Sequence, residues 1–161
     1  MSDNDGIRLV LEQEGPYAFK VNFEGSGLEA LHTDEPAPLG EGSGPGPSML
    51  LLAAVANCLS ASLVFALRKF KNTPGPIRAE ITARKQRNAE GRWRIPRAEV
   101  VITLADKAAN LGNFERVMAQ FEEFCIVTQS VREGIAVDVT VIDADGAVFV
   151  PGSSSKGETG G

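Results

Sequence analysis

From Gly44 to Leu63 the chain reads GPGPSMLLLAAVANCLSASL, and its apolar character runs on to Leu67 before Arg68, Lys69 and Lys71. Met49 to Leu67 is 19 residues without a charge. Pro47 and Ser48 suit the opening of a helix, because the N–H that proline lacks is one that a first turn leaves unpaired anyway. A membrane-spanning helix needs about 20 such residues, and basic residues flank many spans. Asn57, Cys58, Ser60 and Ser62, however, sit in the middle of the run, where a bilayer would penalise them most. The segment therefore reads as a core helix, apolar nearly all round, in a two-layer or dimeric protein.

The flanking segments fit that reading, because they look like half-buried strands that need cover. Before the helix, Ile7, Leu9 and Leu11, then Tyr17, Phe19, Val21 and Phe23, then Leu28, Ala30 and His32 alternate as in short antiparallel strands. Gly15-Pro16 and Gly25-Ser26-Gly27 supply the turns. Pro36 to Pro47, PAPLGEGSGPGP, is an irregular connection that could serve as a lid. After the helix, Asn72-Thr73-Pro74-Gly75-Pro76 breaks the chain, and a hairpin follows. In it Ile77, Ala79, Ile81 and Ala83 oppose Ala98, Val100, Ile102 and Leu104, with the connection at Asn88 to Gly91. Leu111, Phe114, Val117, Met118, Phe121, Phe124 and Cys125 predict an amphipathic helix ending near Cys125. A short helical turn from Val127 to Arg132 closes at Gly134, and Ile135, Val137, Val139 and Val141 predict a last strand. The expectation is one α+β domain over residues 1–150 with a disordered polar tail over 151–161.

Composition narrows the function. Among 161 residues, 43% hydrophobic and 23% charged is the balance of a folding chain, and a net charge of −5 makes a nucleic-acid footprint depend on a clustered basic face. The densest basic stretch, Arg84, Lys85, Arg87, Arg92, Arg94 and Arg97, straddles the hairpin turn and reads as its solvated surface. Neither nucleic acid nor membrane is expected as a partner. Met1 to Gly6 has no basic start before an apolar run, so the cytoplasm is the expected compartment. The glycines at 40, 42, 44 and 46 have no lysine near them and do not form GxGxxG, which excludes a nucleotide loop. With a single histidine, His32, and no CxxC, neither a closed zinc site nor a histidine-based triad is expected, and no metal or cofactor is assigned.

Two cysteines remain. Cys58 lies mid-helix in apolar surroundings, which raise a thiol's pKa above about 8.5, whereas Cys125 lies at the junction of two helical segments, where a helix N-terminus favours the thiolate. Reactive thiols and ordinary packed cysteines are both open on these grounds.

The stretch Gly44 to Leu63 and the stretch EFCIVTQSV from Glu123 to Val131 resemble the two cysteine motifs of the osmotically inducible protein C and organic hydroperoxide resistance (OsmC/Ohr) family. The order of elements, including TDEP at Thr33 to Pro36, is similar over the whole domain. The resemblance implies antiparallel sheets wrapped around two central cysteine-bearing helices in an intertwined homodimer. It implies that Cys58 is the peroxidatic nucleophile toward organic hydroperoxides, and that Cys125 resolves it as a disulfide reduced by a dithiol or a lipoylated protein.

Two departures bear on activity. The family's peroxidases carry a Glu nine residues before the first cysteine, where this chain has Met49, and an Arg between the first two strands, where it reads Gln13-Glu14-Gly15-Pro16-Tyr17. Lys20 or Arg8 are the candidate activating cations, and Met49 and Thr128 are expected to line the site. Ile126 replaces the usual Pro after the second cysteine. The leading expectation is weakened thiol-dependent hydroperoxide reduction, and the alternative is a small-molecule-binding or redox-sensing protein of the same fold.

Overall fold

The computed structural model describes residues 6–151. Apart from Pro151, the polar tail expected from the sequence lies outside them. The chain forms two compact units, Met1–Gln129 and Ser130–Gly161.

In the first unit three short strands, β1 (Leu9–Gln13), β2 (Phe19–Phe23) and β3 (Leu31–Thr33), form an antiparallel meander with Leu11 opposite Val21 and Val21 opposite Leu31. The strands start later than the alternation suggested: Ile7 and Leu28 lie outside them and are exposed. The Gly/Pro loop that follows is pinned rather than loose. The Asp34 carboxylate, almost wholly buried, accepts from the Glu41 N–H (3.0 Å), the Ser43 N–H (3.1 Å) and the Ser43 hydroxyl (3.1 Å). A Cβ at Gly40 would overlap the Asp34 carboxylate and the Glu35 carbonyl, so only glycine lets the loop close this tightly.

Helix α1 (Pro47–Lys69) opens with Pro47 in its first turn and carries Arg68 and Lys69 in its last, where they oppose the negative end of the helix dipole. By length and composition it is the one helix among the described residues able to cross a membrane, and 33% of its most apolar window is buried. Its buried stripe, Val55, Leu59, Ser62, Leu63 and Ala66, follows the helical three- and four-residue spacing. That stripe packs on a hairpin of β4 (Ile77–Ala83) and β7 (Ala98–Leu104), paired from Ile77–Leu104 to Ala83–Ala98. Along β4 the apolar residues are half-buried and Arg78, Glu80 and Thr82 exposed, as period-two alternation requires. The hairpin tip carries two minor strands, β5 (Gln86–Arg87) and β6 (Trp93–Arg94), with the Arg87 guanidinium 4.4 Å from the Trp93 ring centre. The basic stretch thus lies on an exposed hairpin.

The predicted single amphipathic helix is broken. Helix α2 (Phe114–Gln120) gives way to a 3-10 turn at Phe121–Phe124, and Cys125 turns extended (φ −85°, ψ 94°) before α3 (Ile126–Glu133) begins. Gly134, at φ +78°, ends α3 in the left-handed conformation expected of a C′ glycine.

In the second unit β8 (Val141–Ile142) pairs with β9 (Val148–Phe149) around a turn in which Asp143 Oδ1 accepts the N–H groups of Asp145 and Ala147, each at 2.9 Å. The strand expected over Ile135 to Val141 forms only at its end. Residues 135–140 form neither helix nor strand, and Ile135, Val137 and Val139 remain exposed.

Candidate functional site

The two cysteines reach the site by different routes. Cys58 stands on α1, one position from the buried stripe, and is half-buried. Cys125 comes from the break between the 3-10 turn and α3 and is completely buried. Around them pack Val55 and Leu59 of α1, Ile81 of β4, Val100 and Ile102 of β7, and Phe121 and Val127. Phe124, next to Cys125, meets Phe65 of α1 edge-on with ring centres 5.4 Å apart. Both thiols are free, and Cys58 packs against the cluster that holds Cys125.

The break explains the position of Cys125. Its carbonyl accepts the Gln129 N–H at 3.1 Å, the first bond of α3, so Cys125 is that helix's N-cap. A cap residue's side chain ordinarily accepts an N–H of the first turn through oxygen. Here sulfur does so: Cys125 Sγ accepts the Thr128 N–H at 3.4 Å, and the thiol in turn donates to the Thr128 hydroxyl at 2.9 Å.

These contacts push the two thiols apart in acidity. Burial pushes Cys58 above the ordinary thiol range and the neighbouring Cys125 adds to the rise, with the Val127 N–H and the Ser62 hydroxyl pulling the other way. Burial also pushes Cys125 up, but the hydrogen bonds from Cys58, from the Thr128 hydroxyl and N–H, and from Ser62 outweigh it, and its net shift is downward. No cation is among the largest influences on either sulfur.

Thr128 therefore lies against Cys125. Met49 lies in the first turn of α1, 66% exposed, nine residues before Cys58. That is about 13 Å along the axis and half a turn around it. Arg8 pairs with Glu24 at 3.0 Å on the exposed edge of the meander, and Lys20 stands in β2 opposite Glu12 and His32. His32 pairs with Glu14 at 2.7 Å. Among the described residues no group of three or more His, Cys, Asp or Glu side chains is placed to hold a metal. Sequence reasoning missed Ser62, buried on α1 and an influence on both thiols. The available signal was its spacing, one turn beyond Cys58 on the same face.

No curated protein matches the sequence significantly. The fold is shared with an organic hydroperoxide resistance protein OsmC from Legionella pneumophila (16% identity, TM-score 0.63, covering 81% of this chain and 92% of that one). It is shared also with an OsmC-like protein of unknown function from Vibrio cholerae (14%, 0.61, 78% and 93%) and with the organic hydroperoxide resistance protein OhrB of Bacillus subtilis (15%, 0.56, 82% and 94%). The sequence profile of the family described as OsmC-like protein matches residues 40–140, more than half of the chain and the part that holds both cysteines, and the chain belongs to that family.

Proposed function

We propose that the protein reduces organic hydroperoxides, with Cys58 as the sulfur that meets the peroxide and Cys125 as the one that resolves it. The observation that carries this reading is the contact between a half-buried thiol and a wholly buried one whose surroundings favour the anion. The Cys58 sulfur attacks the distal oxygen of ROOH, the O–O bond breaks, and the alkoxide takes up a proton and leaves as ROH. Cys58 is then a sulfenic acid. The Cys125 thiolate attacks its sulfur, the S–S bond forms, and hydroxide leaves and is protonated to water. An external dithiol, small or borne as a lipoyl group on a protein, returns the disulfide to two thiols.

The reading includes a cytoplasmic homodimer. Within one chain Met49, Leu51 and Phe65 of α1 are 66%, 43% and 55% exposed, and Val101 on the outer face of β7 is 62% exposed. An apolar surface of this kind suits a two-fold interface of the obligate class.

Stopped-flow mixing of the reduced protein with cumene hydroperoxide and a lipoyl dithiol tests the proposal. Turnover is expected, and it is expected to vanish in Cys58→Ser; wild type no faster than that variant would overturn the reading. Met49, in place of an acidic residue, favours a second reading, a redox sensor or ligand-binding protein. That protein would be oxidised once by peroxide and would not turn over with the dithiol.

A further inference from the structure

We infer that the negative charge of the reduced cysteine pair resides on Cys125, and that the Cys125 thiolate is the base that takes the Cys58 proton, replacing a cation as the activating group. The inference rests on Cys58 being the atom that meets the peroxide.

Three observations place the charge. First, Cys125 Sγ occupies the cap of α3 and faces the Thr128 N–H at 3.4 Å and the Thr128 hydroxyl at 2.9 Å. The first-turn N–H groups of a helix have no partner of their own and carry its positive end, so they favour an anion. Second, the first turn of α3 is turned to Cys125: its Sγ accepts the Thr128 N–H, and the Thr128 hydroxyl that the neutral thiol donates to can reverse and donate once the sulfur is ionised. Cys58, half-buried, packs against the cluster that holds Cys125. Third, Cys125 is completely buried and Thr128 is 6% exposed, so the Thr128 contacts form away from water, where a charge-assisted hydrogen bond is stronger.

The charged side chains of the packed elements are exposed, apart from the half-buried Glu122. Arg68 and Lys69 of α1 are exposed, with Lys69 Nζ 5.0 Å from the centre of the Phe124 ring. Arg78 and Glu80 of β4 pair with each other on the outer face, and Glu99 of β7 pairs with Arg97. Glu123 of the 3-10 turn is exposed, Glu122 is half-buried, and Arg132 and Glu133 lie in the last turn of α3.

The burial pattern divides the labour. Cys58 is the sulfur a substrate can reach, and Cys125 is the one that holds charge. As Cys58 attacks the distal oxygen of ROOH, its proton passes to Cys125; the departing alkoxide takes that proton and leaves as ROH. Cys125 is again a thiolate, now beside the Cys58 sulfenic acid that it must attack. One buried charge thus serves both steps, and the pair's charge is unchanged until the disulfide forms and hydroxide leaves.

A cysteine that only resolved would not affect the first oxidation. The test is single-turnover formation of Cys58 sulfenic acid, trapped with dimedone and measured by mass spectrometry, together with ultraviolet thiolate absorbance at neutral pH. Cys125→Ser is expected to slow the first oxidation about 100-fold. Thiolate absorbance is expected to disappear in Cys125→Ser and to persist in Cys58→Ser. Thr128 acts through Cys125 as a positioning residue. Thr128→Val is expected to move the absorbance to higher pH, and Thr128→Ser, which keeps the hydroxyl, to restore it. First oxidation at the wild-type rate in Cys125→Ser would overturn the base role. Absorbance that survives in Cys125→Ser would overturn the placement of charge, whatever the protein reduces. Wild type inert to peroxide but with absorbance following Cys125 would overturn the peroxidase reading and with it the base role, while leaving the placement of charge supported.

Discussion

The two halves of α1 are both largely apolar and have different surroundings. From Ser62 to Leu67 its inner face is covered by its own chain: Leu63, Ala66 and Leu67 are 3%, 1% and 0% exposed against Val117, Phe114 and Phe121. From Met49 to Ala54 no residue is buried, and Met49 and Leu51 are exposed outright. Hydrophobicity alone therefore did not decide what is core. The elements that fold back onto the helix did, and Cys58 stands where the covered half gives way to the uncovered one.

The sharpest way to break this comparison is to truncate one residue in each half. Leu67→Ala opens a cavity in a place with nothing to collapse into it, and is expected to lower unfolding free energy by about 3 kcal/mol in urea denaturation. A loss below about 1 kcal/mol would mean that the second half of α1 is not the core. Leu51→Glu is expected to leave the fold intact by circular dichroism but to weaken the proposed dimer by about 2 kcal/mol, roughly 30-fold in its dissociation constant by sedimentation. Unchanged association would place the dimer contact elsewhere and leave the first half of α1 unexplained.

The same contrast marks what was legible in the sequence. The hairpin could be read because β4 and β7 alternate cleanly, and α1 because a charge-free run of its length suits little else. The break before Cys125 could not. Phe114, Val117, Phe121 and Phe124 keep helical spacing whether or not the helix is continuous, and the extended backbone at Cys125 leaves no mark in that pattern. Ser62 left only its spacing, one turn beyond Cys58. Its neighbour Ser60 turns its hydroxyl to the Ala56 carbonyl at 2.8 Å, a common helical habit, and nothing in composition separates a serine that bonds its own helix from one that faces two sulfurs. The last strand failed for a third reason: alternation reports which face is apolar, not which backbone will pair with it, and among the described residues 135–140 join no sheet.

The smallest expected effect concerns what holds the uncovered half of α1 in place. Its second half is fixed by packing, but its first turn follows directly from the Gly/Pro loop, with the Met49 and Leu50 N–H groups bonded to the Gly46 carbonyl at 3.0 and 3.2 Å. That loop is closed on Asp34, whose carboxyl is held below its ordinary 3.8, chiefly by the Ser43 N–H and against the opposing effect of desolvation. A depressed carboxylate contributes stability that is present above 3.8 and lost as pH falls through its lower folded value. Asp34→Asn keeps the shape and removes the charge. Hydrogen exchange at neutral pH is expected to speed up several-fold for the Glu41 and Ser43 amides and for the first turn of α1, and to stay unchanged at Ala66 and Leu67. The difference from wild type should shrink as pH is lowered below 3.8, because wild type then loses the same charge. If Asp34→Asn exchanged like wild type at neutral pH, the loop would not depend on this carboxylate. If Ala66 and Leu67 also sped up, the two halves of α1 would open together, and the contrast between them would be one of exposure and not of stability.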